Sequence, residues 1–487
     1  MENLSALFTD FYELTMAQGY LKKKKNRRAV FEMFFRKNPF KGGYSIFAGL
    51  ETLLSRLKTF RFTADDIAYL RGLNFFDDEF LEYLKDFRFS GDLYAMDEGS
   101  VIFPQEPLIR VDGKFIECQI IEGLVLNIIN FQSLIATKTA RVYLASGKGG
   151  IMEFGLRRAQ GPDGAMSASR AAIIGGALGT SNTLAAKEFG VRAMGTMAHS
   201  WVMSFASEEE AFRAYAELYP VNPVFLIDTY DTLKSGVINA IKVGREIIER
   251  GGGFGVRLDS GDMHFLSQAV RRCLDEAGCG KASIAVSNDL DEHIISTLVN
   301  QGAPINSWGV GTRMVTGGDD ASFTGVYKLT AHENESGELI PAIKFSDNPE
   351  KTTNPAVKQV LRLHGGDGMA LADVLVIDNG TGNPEAVEKL DEGKDYTFYH
   401  PSADYRQFCH TLETPPVPML KKRIEHGEIV SMNPPLLLDI QKHCASELET
   451  IDARYKRLLN PHIYKVSITP KLRDLKLGLI KNCLGDL

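Results

Sequence analysis

An α/β fold centred on a β/α barrel is what this 487-residue chain predicts, and three observations carry the prediction. Between Ile151 and Val315, six strand-like runs alternate with helical patterns on the repeat spacing of βα units. The runs are continuously apolar, as in Val224-Phe-Leu-Ile227, the pattern of parallel strands buried on both faces. Each run finishes on polar residues suited to phosphate or acid handling, and in a barrel such strand ends converge on one mouth. An open doubly wound sheet is the alternative that the same alternation allows.

In chain order, residues 1–137 read as an N-terminal α/β region. Phe11 to Tyr20 has Leu14, Ala17 and Gln18 at helix spacing. Lys22–Lys25 with Arg27 and Arg28 is a basic run, read as a solvated turn with an anion or acidic-partner site as the alternative. Val30–Phe35 is strand-like, and Asp65–Leu70 and Asp77–Leu84 suggest two short amphipathic helices. Gly99, Pro104 and Pro107 break Leu93–Arg110, which predicts short strands on the rim of a small sheet.

Residues 138–345 form the predicted barrel core. Its units run Ile151–Glu153 into Gly155-Leu-Arg157-Arg158, Met194–Met197 into His199-Ser200, and Val224–Ile227 into Asp228-Thr229. They continue as Gly255–Leu258 into Asp259-Ser-Gly-Asp262, Ile284–Val286 into Ser287-Asn288-Asp289, and Trp308–Val310 into Gly311-Thr312-Arg313. Between them, Leu266, Ala269, Val270, Cys273, Leu274 and Ala277 form one apolar stripe, so 263–277 is an expected helix. Val237, Ile241 and Ile248 do the same for 232–249, and Gly251-Gly-Gly253 ends that helix. Ser207-Glu-Glu-Glu210 is a capping-box pattern opening a helix to Tyr219.

Residues 346–487 form a C-terminal region expected to pack back on the body. Lys351-Thr-Thr-Asn-Pro355 and Thr414-Pro-Pro-Val-Pro418 are loop-like, and Leu436 to Tyr455 is helical by pattern. The Lys351–Asn354 loop is a candidate to reach the mouth.

Composition excludes several classes. With 44% apolar and 24% charged residues the chain resembles an ordinary globular protein. A net charge of −7 argues against a general nucleic-acid binder but permits a local basic pocket for an anionic small molecule. No run approaches the ~18 apolar residues of a membrane span, and Met1-Glu-Asn-Leu-Ser lacks the regions of an export signal. The six cysteines are far apart with no Cys-x-x-Cys pair, which fits neither a disulfide framework nor a zinc site. A cytoplasmic protein with reduced thiols is the expectation.

Three strand ends carry chemistry. In Val256-Arg-Leu-Asp-Ser-Gly-Asp262, Arg257 can grip a carboxylate or phosphate bidentately. Asp259 and Asp262 would suit Mg²⁺ bridging phosphates; an Arg–Asp ion pair with Asp262 capping the next helix is the alternative. Gly309-Val-Gly311-Thr312-Arg313, with Gly317-Gly318 after it, resembles a phosphate cradle in which backbone N–H groups and a hydroxyl approach an anion. His199 closes Gly195-Thr-Met-Ala-His199, and the barrel prediction points it at the same mouth. No Gly-x-x-x-x-Gly-Lys-Ser/Thr loop occurs, so ATP, if used, is not held as P-loop enzymes hold it.

These motifs resemble those of the nicotinate phosphoribosyltransferases. The resemblance lies in Thr9-Asp-Phe-Tyr12-Glu-Leu-Thr-Met-Ala17, Glu153-Phe-Gly-Leu-Arg-Arg158, Gly195-Thr-Met-Ala-His-Ser-Trp201, Asp228-Thr-Tyr-Asp231, Arg257-Leu-Asp-Ser-Gly-Asp262 and Gly309-Val-Gly-Thr312. It runs from Thr9 to about Lys358 in the right order; the last ~120 residues add no motif with a function attached. It implies an irregular β/α barrel beside an α/β region assembled from both chain ends. It also implies a homodimer with sites partly across the interface. The implied reaction joins nicotinate to 5-phosphoribosyl 1-pyrophosphate (PRPP), giving nicotinate mononucleotide and pyrophosphate in NAD salvage, with ATP hydrolysis coupled and Mg²⁺ required.

By the same resemblance, Arg257 and Thr196 contact nicotinate, and Tyr12 of a partner subunit stacks on its ring. Gly311 and Thr312 hold PRPP phosphate, and Asp259 contacts Mg²⁺–pyrophosphate or ribose. Asp262, Asp228 and Ser287 are further candidates, with Asp262 a second possible Mg²⁺ ligand. Arg158 holds a second anionic group, with Arg157 as the alternative. His199 matches the family's phosphorylated histidine.

Rival readings are a nicotinamide-specific relative, a silent phosphate-binding barrel and an aldolase-type barrel. The Thr-Asp-x-Tyr and Ala-His-Ser-Trp segments favour the acid substrate. The intact His199, Arg257 and Asp259 set argues against a pure binder. No lysine closes any of the six runs to form a Schiff base.

Overall fold

A computed structural model describes residues 4–378, 387–403, 405–431 and 433–484; Met1 to Asn3 of the stretch read for an export signal lie outside them. The chain divides into two compact units: 135–321 with 437–441, and 1–134 with 322–436 and 442–487.

The first of these holds a five-stranded parallel sheet. Its order is Ile151–Glu153, Ser307–Val310, Ser283–Asn288, Gly255–Leu258, Val224–Leu226. Register aligns the strand ends: Val310 lies between Glu153 and Asn288, Leu258 opposite Val286, and Leu226 opposite Arg257. Carboxyl ends of parallel strands share one edge, so Phe154, Asp228, Asp259 and Gly311 emerge on the same side.

Beyond Glu153 the sheet continues only as single-residue bridges, Glu153 to Thr180 and Thr180 to Ala193. Met194–Met197 is therefore not the sixth strand. Met194 N–H donates to Thr180 O (2.9 Å), and the chain then leaves the ladder at Gly195. A glycine weakens a strand and lets the backbone turn away, here to start the His199–Met203 helix. No ladder joins this end to Val224–Leu226 among the described residues, so the sheet is open where a closed barrel was expected.

The flanking helices follow their sequence signals. Met263–Glu276 buries Met263, Ala269, Val270 and Leu274, and Asp262 caps it by accepting from Phe265 N–H (2.9 Å). Ser207 caps Glu208–Leu218 by accepting from Glu210 N–H (3.2 Å). The helix expected over 232–249 opens instead as a π turn, Thr232–Gly236, before Val237–Glu249. The turn packs so closely that a Cβ on Gly236 would lie 1.9 Å from Ile227 O.

The other unit has a seven-stranded antiparallel sheet ordered Leu339–Pro341, Gly325–Glu333, Arg28–Phe35, Ile109–Lys114, Asp92–Ala95, Lys421–Glu425, Glu428–Ile429. It draws strands from both ends of the chain, and takes Gly325–Glu333 from the span allotted to the core. Asp92–Ala95 and Ile109–Lys114 are interior strands and not a rim: Gly99, Pro104 and Pro107 all lie in the connection between them. A mixed six-stranded sheet (Gln407–Thr411, Asp395–Tyr399, Lys465–Ile468, Ala370–Ile377, Lys358–His364, Val417–Pro418) fills a C-terminal region whose pattern had suggested one helix. That helix ends at Thr450. Within the basic run, Lys22 pairs with Asp77 (3.1 Å), Lys25 with Glu335 (3.1 Å) and Arg28 with Asp112 (2.7 Å), while Arg27 donates to Asn334 O (2.7 Å).

One stretch, Phe115–Ala145, is long and apolar enough to cross a membrane by length and composition, contrary to expectation, with 67% of its most apolar window buried inside the fold. Two of its charges are paired inside: Lys138 and Arg141 both meet the buried Glu292, at 2.6 and 2.8 Å.

Candidate active site

The carboxyl ends of the parallel strands hold a connected polar cluster with Asp228 at its centre. Only 2% of the Asp228 side chain is exposed. One carboxylate oxygen lies 3.2 Å from His199 Nε2, and the other accepts from the Asp259 N–H (3.1 Å) and the Ser260 hydroxyl (2.5 Å). Asp259 in turn accepts from the buried Ser287 hydroxyl. Four sequence-predicted residues, His199, Asp228, Asp259 and Ser287, are thereby brought into one network.

Arg257 joins them from the penultimate position of its strand. One terminal nitrogen donates to Met197 O (3.0 Å), while the buried Nε has no hydrogen-bond partner among the described residues. Burial pulls the guanidinium below its ordinary value; Asp259 and Asp228 oppose that, and Arg157 adds to it. A buried donor without an acceptor is costly, so this N–H is poised for an anion from outside the chain.

The cradle at Gly311-Thr312 is built by close packing. A Cβ on Gly309 would lie 2.6 Å from the Phe154 ring, and one on Gly155 would lie 2.2 Å from Val315. Gly311 has an irregular backbone (φ −113°, ψ −103°) and precedes the Thr312–Val315 turn of helix. Arg313 is drawn off to Asp319 (2.9 Å).

Arg157 and Arg158 sit on a short 3₁₀ turn, Leu156–Arg158, and neither guanidinium has an ion-pair partner among the described residues. The turn is anchored by Glu153. This fully buried carboxylate accepts from Gly155 N–H, from the Thr180 hydroxyl and from the Ser169 hydroxyl (3.0 Å). Among the described residues Thr196 makes a local contact with Met197 O (3.4 Å).

Asp262 does not join the network: it is exposed and spends its carboxylate on its helix cap. Nor does any group of three His, Cys, Asp or Glu suited to a metal occur among the described residues. Of the two acids read as Mg²⁺ candidates, Asp259 is the one that stays in the network. Tyr12 belongs to the other unit, half exposed on the Phe11–Lys22 helix.

Sequence reading placed Asp228 among the further candidates beside Asp259, not at the centre of the cluster, and gave no role to Ser260, Glu153 or Asn288. The signal for Asp228 and Ser260 was a hydroxyl next to an acid at neighbouring strand ends, Asp228-Thr229 and Asp259-Ser260. Asn288 shows φ +115°, a conformation that favours glycine, at the mouth end of its strand.

Three family models match the chain: the nicotinate phosphoribosyltransferase N-terminal domain over residues 7–130, the family proper over 150–369, and the C-terminal domain over 357–476. The chain is 41% identical over 473 residues to nicotinate phosphoribosyltransferase of Bacillus subtilis (strain 168), covering 95% of this chain and 93% of that protein. To the Homo sapiens protein of the same name it is 31% identical, covering 99% and 97%. The crystal structure of human nicotinic acid phosphoribosyltransferase superposes with a TM-score of 0.83 at 29% identity, covering 97% and 99%. A nicotinate-nucleotide pyrophosphorylase from Pyrococcus furiosus shares the fold, with a TM-score of 0.70 at 22% identity over 91% of this chain and 95% of that one.

Proposed function

The chain belongs to the nicotinate phosphoribosyltransferase family, and from that premise we propose how the Asp228-centred cluster carries the reaction. It is an enzyme that joins nicotinate to PRPP, forming nicotinate mononucleotide and pyrophosphate and so feeding NAD synthesis. In the transfer, the pyridine nitrogen bonds to ribose C1 as the bond from C1 to the pyrophosphate oxygen breaks. Catalysis therefore needs an aligned base and a neutralised leaving group.

The observation that carries the reading is the unpartnered Nε of Arg257, buried beside Asp228 and Asp259. The nicotinate carboxylate supplies the missing acceptor, which gives the acid preference over the amide a physical basis. Thr196 lies along the same segment to meet the ring, and Tyr12 of a partner subunit in a homodimer stacks on it. Gly311 and Thr312 take the PRPP 5′-phosphate, and Arg158, aided by Arg157, takes a second anionic group. Asp259, held by Ser287, faces the ribose and pyrophosphate end. Asp259 would hold Mg²⁺ there, which when bound would supply charge neutralisation to the leaving group.

His199 is the site of ATP coupling in this reading. An imidazole whose Nε2–H donates to Asp228 keeps its lone pair on Nδ1. Nδ1 then attacks the ATP γ-phosphorus as the bond to ADP breaks, and later hydrolysis returns phosphate. The same pair, with the Arg257 bond to Met197 O, ties the segment around His199 to the ends of two of the parallel strands. Product analysis with PRPP and Mg²⁺, offering nicotinate or nicotinamide with and without ATP, tests the assignment. Nicotinate mononucleotide formed faster with ATP, alongside ADP, supports it; an ATP-indifferent rate refutes the coupling.

A further inference from the structure

The Phe11–Lys22 helix exposes Tyr12 and buries its neighbour Glu13 completely. Thr9 Oγ1 is in hydrogen-bond contact both with Glu13 Oε2 and with Ile120 O, the latter at 3.0 Å. A threonine hydroxyl has one proton, and a carbonyl and a carboxylate are both acceptors. Both contacts are satisfied only if the carboxyl brings a proton of its own. The surroundings agree. Glu13 Oε1 has no partner among the described residues, and the charged groups facing it from its own helix and the adjoining one are acids, Asp10 and Glu122. Glu122 is itself buried and accepts from Gln119 (2.8 Å); the cation of this corner, Lys328 on the Gly325–Glu333 strand, acts on Glu122. The remaining titratable neighbours, Tyr12, Tyr20 and Tyr327, are all pushed upward, chiefly by burial. The hydrogen bonds that Tyr12 and the Asp10 backbone offer Glu13 favour its charged form but are outweighed by burial and the two acids.

We propose that Glu13 is a positioning residue for the nicotinate site: as a neutral acid it donates to Thr9, Thr9 donates on to Ile120, and this relay pins the first turn of the helix that carries Tyr12. The proposal rests on the reading of Tyr12 given above. Burial, then Glu122, then Asp10 push the Glu13 carboxyl up to about 8, so the relay holds at neutral pH and breaks in mild alkali. A glutamine there would keep the donor to Thr9 and lose the titration.

The test measures KM for nicotinate and for PRPP from pH 7 to 9, with melting temperature from pH 5 to 9. It compares the full-length wild type with Glu13→Gln, Glu13→Ala and Tyr12→Ala. In the wild type, KM for nicotinate should rise on the order of tenfold by pH 9, as the competent fraction falls, with KM for PRPP steady. Glu13→Gln should match the wild type at pH 7 and stay flat, while Glu13→Ala should be impaired at every pH. Titration of Glu122 persists in Glu13→Gln, so the difference between the two profiles belongs to Glu13. The same rise in Glu13→Gln, or a Glu13→Gln defect equal to that of Glu13→Ala, overturns the proposal. A folded-state value above the unfolded one means stability present below about 4.5 is lost as pH rises to about 8. Wild-type melting temperature should therefore drop against Glu13→Gln between pH 5 and 8, and parallel curves would overturn the relay itself. Unchanged nicotinate KM in Tyr12→Ala, with divergent melting curves, would locate the failure in the Tyr12 reading and remove the link to the substrate.

Discussion

His199 and Asp228 are joined at 3.2 Å, imidazole Nε2 to carboxylate Oδ1, although 29 residues separate them and each closes a different segment of the core. The same carboxylate holds the backbone of Asp259 and the hydroxyl of Ser260, so one buried acid orients the histidine and the strand end beside it. An acceptor on Nε2 sets the tautomer, and a carboxylate does so more firmly than an amide.

Asp228→Asn should therefore uncouple ATP from transfer more than it slows transfer itself. The amide can present N–H to the ring and favour the wrong tautomer, costing roughly 10²-fold in ATP-stimulated rate. Parallel assays of ADP and nicotinate mononucleotide check this. Asp228→Ala should cost stability as well, since three donors lose one buried acceptor.

Arg257→Lys is expected to behave almost as badly as Arg257→Ala. A lysine has no planar fork and cannot offer the Nε donor, so nicotinate KM should rise by about 2 kcal/mol, roughly 30-fold. KM for PRPP should change little; equal damage to both would place Arg257 at a phosphate.

Gly236→Ala should lower the melting temperature with no contact to any substrate. Its Cβ would meet Ile227 O at 1.9 Å, and backbone cannot move aside as a flexible side chain does. Overpacking of this kind costs about 1–3 kcal/mol, and displacement of Ile227 would disturb Asp228 next to it. Thermal melts with ATP-coupled rates on the same sample read both effects.

Asn288→Gly should raise the melting temperature by relieving a backbone held at φ +115°. Such strain costs of order 1–3 kcal/mol, partly offset by the entropy a glycine adds to the unfolded chain. Asn288→Ala, which keeps the Cβ and loses the amide, should not stabilise.

The core was legible because parallel strands bring their carboxyl ends together whatever lies between them. Arg257, Asp259 and Ser287 could be placed on one side from apolar runs alone, and the Ser207 and Asp262 caps could be read from local spacing. Met194–Met197 misled because it has a strand's composition but gains no ladder: Gly195 turns the chain away to deliver His199. The antiparallel sheet was hidden for a different reason. Ala29 pairs with His332, and Asp92–Ala95 with Lys421–Glu425, so its partners lie about 300 residues apart, beyond any local pattern. The Asp228 hub was invisible as such, since its three donors come from two other segments.

The most direct measurement is a two-product assay on His199→Ala, following ADP and nicotinate mononucleotide with and without ATP. Slow transfer that no longer responds to ATP, with no ADP formed, is the predicted result. Complete loss of transfer in a folded variant, or ATP stimulation that survives, would contradict the assignment of ATP coupling to His199.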